Sequence, residues 1–208
     1  MIQTKEKILD TAESLFAKQG FAATSLRSIT AEAGVNLAAI HYHFHSKESL
    51  LDAVIVRRAE GINRERSRLL DECDCSASNG TPVPEKVLEA FLLPVFHFAN
   101  HSRRGPVFVK LMARIHAESD VFAQIIQKHF SVVAARFVSA LSRALPELPP
   151  EELFLRLHFA MGAVVQALAG PKLVETLSGG QCHQPDWETT AARLIEFISA
   201  GLRAGVKK

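Results

Sequence analysis

The sequence is poor in cysteine, almost balanced in charge, and free of any unbroken apolar run that reads as a membrane span. Its three cysteines, Cys73, Cys75 and Cys182, are an odd number. They exclude a fully paired disulfide framework and fit a reducing compartment. The longest apolar runs fall far short of the ~20 residues that cross a bilayer. The opening MIQTKEKILD shows no apolar segment of the secretory type. We therefore expect a cytoplasmic chain with no membrane partner. Lysine and arginine number 24 against 22 aspartates and glutamates, a formal net charge of +2. The first 48 residues are also even: Lys5, Lys7, Lys18, Arg27 and Lys47 face Glu6, Asp10, Glu13, Glu32 and Glu48. Charge alone thus announces no nucleic-acid partner, and any such case must rest on a motif. Catalytic signatures are missing too: no GxSxG, no P-loop, no HExxH and no paired Cys/His metal spacing. Glu151 and Glu152 adjoin Pro150 and suit the first turn of a helix, where the dipole favours carboxylates. We expect no enzyme, no cofactor and no metal.

What is present is apolar side chains at helical spacing, in a chain that is 48% apolar. Ile8, Leu9, Ala12, Leu15 and Phe16 mark a first helix that Gly20 ends. Thr24 is placed to cap a second, with Leu26, Ile29 and Ala33 on one face and Gly34 behind it. Asn36 is placed to cap a third, with Ile40 and Phe44 inward. Ser46 opens a fourth with Leu50, Leu51, Val54 and Ile55, and its later half is charged through Arg57, Arg58, Arg64, Glu65, Arg66 and Arg68. Residues 71–84 form the clearest break, with Ser76, Ser78, Asn79, Gly80, Pro82 and Pro84. Five more helices are read at 85–100, 106–117, 120–145, 150–169 and 187–202. Strand-like alternation is scarce. The expectation is an all-α chain of about nine helices.

Two short helices around a glycine turn make a helix-turn-helix, whose second helix enters the major groove. Here the turn is Gly34-Val35-Asn36 and the recognition helix runs over 37–44. With Ile40 and Phe44 inward, Leu37, Ala38, Ala39, His41 and Tyr42 remain for DNA, and small residues at 38 and 39 allow a close approach. Tyr42, His43 and Lys47 are candidates for phosphate contacts, which position without specifying sequence. Thr24, Ser25, Arg27 and Asn36 complete the expected DNA-facing set. His41, His43 and His45 alternate, but positions two apart on a helix point about 200° apart and do not share an ion.

The residues Gly20-Phe21, Thr24-Ser25-Leu26, Ile29, Ala33-Gly34-Val35-Asn36, Ile40, Tyr42-His43-Phe44 and Ser46-Lys47-Glu48-Ser49-Leu50 resemble the TetR family over about the first 55 positions. The resemblance implies a three-helix DNA-binding head, residues 1–50, and a larger helical domain for ligand binding and dimerisation, residues 51–208. It implies a sequence-specific regulator of transcription, a repressor that binds double-stranded operator DNA as a homodimer and leaves it on binding a small apolar or amphipathic ligand. The alternative is a regulator controlled by a protein partner or by no ligand. Asn36 to Ile40, Leu148 to Phe154, Leu157-His158-Phe159 and Gly162-Ala163 are similar to the PsrA-like, fatty-acid-responsive branch.

For the ligand we expect a cavity walled by Phe91, Phe98, Phe108, Met112, His116, Phe122 and Phe159, with Arg103, Arg104 or His116 able to meet a carboxylate head. For the dimer, Phe154, Leu157, Met161, Val165 and Leu168 step by three and four. Leu194, Ile198 and Leu202 repeat that pattern. Cys73 and Cys75 read as linker thiols.

Overall fold

In the computed structural model, which describes residues 2–77, 80–183 and 185–205, the chain is helical and forms no strand among the described residues. Its elements are α1 (Ile2–Gln19), α2 (Leu26–Ala33), α3 (Leu37–Phe44), α4 (Lys47–Cys75), α5 (Pro84–His101), α6 (Gly105–His116), α7 (Ser119–Ile125), a π-helical turn (Ile126–Phe130), α8 (Ser131–Ala144), α9 (Pro150–Ala169), α10 (Pro171–Leu177) and α11 (Trp187–Arg203). The single helix expected over 120–145 is broken by the π turn. The short α10, opened by Pro171, was not anticipated, because seven residues give too few turns to show a period.

Two compact units result, Met1–Gly61 with Arg103–Phe130, and Ile62–Ser102 with Ser131–Lys208. In the first, α1 packs on α2, α3 and α6. Ile8, Ala12, Phe16, Ile29, Ala33, Ile40, Leu50 and Val54 are fully buried, which matches the helical periodicity. One carboxylate lies among them. Glu13 has no solvent exposure, and Arg57 Nη2 and Arg58 Nη2 reach its Oε2 at 3.0 and 3.1 Å. A buried carboxylate persists only when so answered, and the pairing ties α1 to the first half of α4. Arg104 Nη2 ties α6 to the same helix through Asp10 at 3.0 Å.

In the second unit α11 packs on α5 and α9, α5 on α8, and α10 on α9. Ser199 and Arg203 of α11 both bind Glu85 at the start of α5. Burial pushes the Glu85 carboxyl up, but these hydrogen bonds outweigh it and hold it below the usual range. Arg156 Nη1 donates to the carbonyls of Gly201, Leu202 and Ala204 at 3.0, 3.0 and 2.6 Å, closing the C-terminal end of α11, whose last carbonyls have no helical partner. Helix α9 is by length and composition apolar enough to cross a bilayer, contrary to the reading of unbroken runs. It is also little buried: Leu153 is its one fully buried residue among those described.

Candidate nucleic-acid interface

The head is built by three turns, each set by one residue type. Gly34 follows α2 at φ 62°, ψ 41°, the left-handed region that glycine enters without steric cost. Asn36 caps α3, its Oδ1 accepting from Ala39 N at 2.8 Å. Ser46 opens α4, its Oγ accepting from Ser49 N at 3.0 Å. Between α3 and α4, His45 stands at φ 64°, ψ −49° while Ser46 N donates to Phe44 O at 2.7 Å. That is a γ-turn of the rare strained form, and it sets the angle at which α4 leaves the recognition helix.

The cap of α2 differs from expectation. Ser25, not Thr24, is the N-cap: Ser25 Oγ accepts from Ser28 N at 3.0 Å, and Ser28 Oγ accepts from Ser25 N at 3.2 Å. Thr24 is 1% exposed and its Oγ1 donates to Gly20 O at 2.7 Å. It is a core residue of the α1–α2 loop and is withdrawn from the DNA-facing set. Ser25, Arg27, Asn36, Leu37, Ala38, His41 and Tyr42 are exposed, and Ala39 and His43 are half-buried. Ile40 and Phe44 are buried as expected. The outer face of α3 thus offers small residues at its first turn and His41 and Tyr42 beyond them.

Lys47 is occupied. Its Nζ donates to the carbonyls of Phe21, Ala22 and Thr24 at 2.9, 3.5 and 3.1 Å and lies 4.3 Å from the Phe21 ring centroid. Three donors on three carbonyls leave none for a phosphate. The same loop is held from the other side by Glu118, between α6 and α7: Oε1 accepts from Phe21 N at 2.9 Å and Oε2 from Ala22 N at 3.3 Å. Glu118 was not foreseen, because the sequence carries no signal that joins residues 97 apart. Asp52 on α4 is held by Lys128 Nζ at 2.8 Å and His129 Nε2 at 2.6 Å from the π turn.

The residues assigned to a ligand cavity divide between the units. Phe108, Met112, His116 and Phe122 stand on α6 and α7 of the first unit, Phe91 and Phe98 on α5 of the second. The His116 ring meets Phe122 edge-on with centroids 4.6 Å apart, and its buried Nδ1 has no hydrogen-bond partner among the described residues. Phe159 is no cavity wall: it is 63% exposed on α9. Arg104 is taken by Asp10, and Arg103 is exposed.

The dimer set changes as well. Phe154 and Met161 are exposed on α9, and Leu157, Val165, Leu168 and Leu194 are half-buried. Ile198 and Leu202 are buried inside the second unit and leave the set. Among the described residues of α11 the large apolar side chain that is exposed is Phe197, at 68%. Cys73, Cys75 and Cys182 are free thiols, and burial pushes the Cys73 thiol up.

A capped pair of short helices around a left-handed glycine, on an otherwise helical chain, defines a helix-turn-helix regulator. Residues 8–54 match the family model described as bacterial regulatory proteins, tetR family, and residues 89–201 match the tetracyclin repressor-like C-terminal domain. The chain belongs to the TetR family of transcriptional regulators. It is 49% identical over 51 residues to the uncharacterized regulator YerO of Bacillus subtilis, covering 24% of this chain and 18% of that one. It is 38% identical over 109 residues to the probable regulator YttP of the same organism, covering 52% and 49%. The chain thus spans about half or less of the length of these relatives. Among solved structures, AmtR of Mycobacterium smegmatis shares the fold at a TM-score of 0.61 and 20% identity, covering 98% of this chain and 87% of that one. The ketosteroid regulator KstR2 of Mycobacterium tuberculosis does so at 0.59 and 18%, covering 95% and 93%. None of these matches bears on the fatty-acid-responsive branch.

Proposed function

We propose that the chain is a homodimeric repressor that binds operator DNA through α3 and releases it when a small apolar or amphipathic ligand binds the C-terminal domain. The observation that carries the reading is the Glu118 clamp. The loop that opens the helix-turn-helix is hydrogen-bonded by a side chain from the α6–α7 junction, so a shift of α6 acts on the head directly. The α3 face supplies base-edge contacts through Leu37, Ala38, Ala39, His41 and Tyr42, while Ser25, Arg27 and Asn36 lie nearer the phosphates. The exposed apolar surface of α9 with Phe197 is the surface on which two copies join, since a large exposed apolar patch marks an interface. Two heads then meet successive major grooves about 34 Å apart.

The test begins with selection of bound duplexes from a random library, using the full chain. A palindromic consensus with half-sites about one helical turn apart supports the dimeric reading. Titration of the selected duplex with a panel of apolar and amphipathic compounds then reads release. A ligand coupling of ~1–3 kcal/mol appears as a roughly 5- to 150-fold loss of affinity. Tight binding that no compound changes overturns the ligand-controlled part and leaves control by a protein partner or by no ligand.

A further inference from the structure

Among the described residues His45 alone, glycines aside, has a positive φ, at 64°. Strained backbone of this kind persists where the surrounding structure holds it, and it collects at functional sites. Here the γ-turn after α3 presents the His45 carbonyl to the side chain one turn earlier. His41 Nδ1 lies 3.2 Å from that oxygen. A carbonyl only accepts, so Nδ1 carries the proton and donates. A neutral imidazole has a single N–H, so Nε2 is then a bare acceptor. Nε2 has no partner among the described residues, and His41 is exposed on the outer face of α3.

The other members of the base-facing set carry no such bias. Leu37, Ala38 and Ala39 have no hydrogen-bonding side chain, and the Tyr42 hydroxyl both donates and accepts. His41 is therefore the one member whose polarity the backbone fixes. Base edges in the major groove differ in the same property. Adenine N6 and cytosine N4 donate there, whereas guanine N7 and O6 and thymine O4 accept. An acceptor opposite an acceptor leaves both unsatisfied once water is excluded.

We propose that His41 reads an amino group: its Nε2 accepts from adenine N6 or cytosine N4 in the major groove and discriminates against guanine and thymine on the same strand. The His45 carbonyl acts through His41, as the group that holds its tautomer. The inference rests on the DNA-binding reading given above and adds the class of base and the atom that reads it.

The experiment uses the full chain at about pH 8, where imidazole is the neutral form. Nitrogen NMR of the isotope-labelled protein, with His41→Ala assigning the signal, should show Nδ1 protonated and Nε2 bare. Selection of bound duplexes should give one position in each half-site where adenine or cytosine is favoured roughly 5- to 150-fold over guanine and thymine. His41→Ala should lose the preference at that position alone. N6-methyladenine or N4-methylcytosine placed there keeps the Watson–Crick hydrogen and loses the one facing the groove. That replacement should weaken binding by wild type by a similar factor and leave His41→Ala unaffected. The proposal is overturned if Nε2 carries the proton, if the position lost in His41→Ala selects guanine or thymine, or if both proteins select the same consensus. Each of those results leaves the DNA-binding reading standing. A wild type that selects no consensus removes that reading and the proposal together.

Discussion

On the proposed reading Glu118 couples α6 to the head, and its removal has a calculable effect. Its carboxylate accepts from two amides of the α1–α2 loop, Phe21 N at 2.9 Å and Ala22 N at 3.3 Å. A hydrogen bond to a charged group is worth ~1.5–3 kcal/mol when protected, and less in water. The first is part-buried and the second longer and exposed, so Glu118→Ala should cost about 1–2 kcal/mol in total. If the clamp forms in the DNA-binding state and opens in the released one, that energy appears as a ~5- to 30-fold loss of operator affinity. Amide exchange at Phe21 and Ala22 should accelerate by a similar factor, while the amides of α3 exchange as in wild type. Glu118→Gln, which keeps one acceptor without the charge, should lie between. Gly20→Ala attacks the same contact from the other partner: Gly20 has φ 88°, and an added Cβ falls 2.9 Å from Glu118 Oε1. Wild-type exchange at Phe21 and Ala22 in Glu118→Ala, together with unchanged operator affinity, would refute the reasoning.

Gly34→Ala should destabilise the head by about 1–2 kcal/mol through its left-handed φ alone, because the added Cβ meets only Lys7 Nζ at an ordinary 3.6 Å. Thermal unfolding of the variant measures this. Lys47→Ala should weaken DNA binding by loosening the 20–24 loop, without lowering the salt slope. A slope smaller by about one would instead return Lys47 to the phosphate contacts. Phe159→Glu or Phe197→Glu should yield monomers in sedimentation at micromolar concentration, since an apolar interface does not accept an unpaired charge. A dimer in both variants places the interface elsewhere. Burial pushes the Asp52 carboxyl up, but hydrogen bonds from Lys128 and His129 outweigh it and its pKa is lowered. A lowered folded pKa contributes stability above the unfolded value of ~3.9 that is lost as pH falls through the folded one. The stability gap between wild type and Asp52→Asn should therefore be full at neutral pH and close in acid below about pH 4.

The head was legible because its turns each demand a residue type. Gly34 answers a left-handed φ, Asn36 and Ser46 supply cap oxygens, and Ile40 and Phe44 sit where a helix of eight residues must be pinned. Errors there were local exchanges of role. Thr24 and Ser25 are both acceptable caps by type, and only the packing shows that the Thr24 hydroxyl faces Gly20. Lys47 looked free for phosphate because the carbonyls that hold it lie 23 to 26 positions away. The burial of Arg66 on α4 follows from the pattern of its neighbours. The buried positions Ile55, Ala59, Ile62 and Leu70 keep a helical period through the charged half of α4, and Arg66 falls on it.

The C-terminal helices resisted for a different reason, which bears on the dimer. Periodicity shows that a helix has an apolar face, not what covers it. On α11 the regular stripe of Ile195, Ile198 and Leu202 is covered by the chain's own helices, and Ser199 in that stripe binds Glu85 of α5. The residue left over, Phe197, lies off the stripe. On α9 one face packs on the chain's own helices only in part, and Phe154, Leu155, Phe159 and Met161 face solvent, although the helix is as apolar as a membrane span. Its charged residues make a bilayer the poorer cover. Glu151 and Glu152 crowd its first turn, and Arg156 is spent on Glu152 and on the end of α11, so the polar end is anchored to the protein. A second copy of the same surface offers apolar contact and leaves those polar groups in water. That asymmetry favours a second copy as the cover, and it makes Phe159 and Phe197, rather than Ile198 and Leu202, the residues whose charge substitution separates assembly from folding.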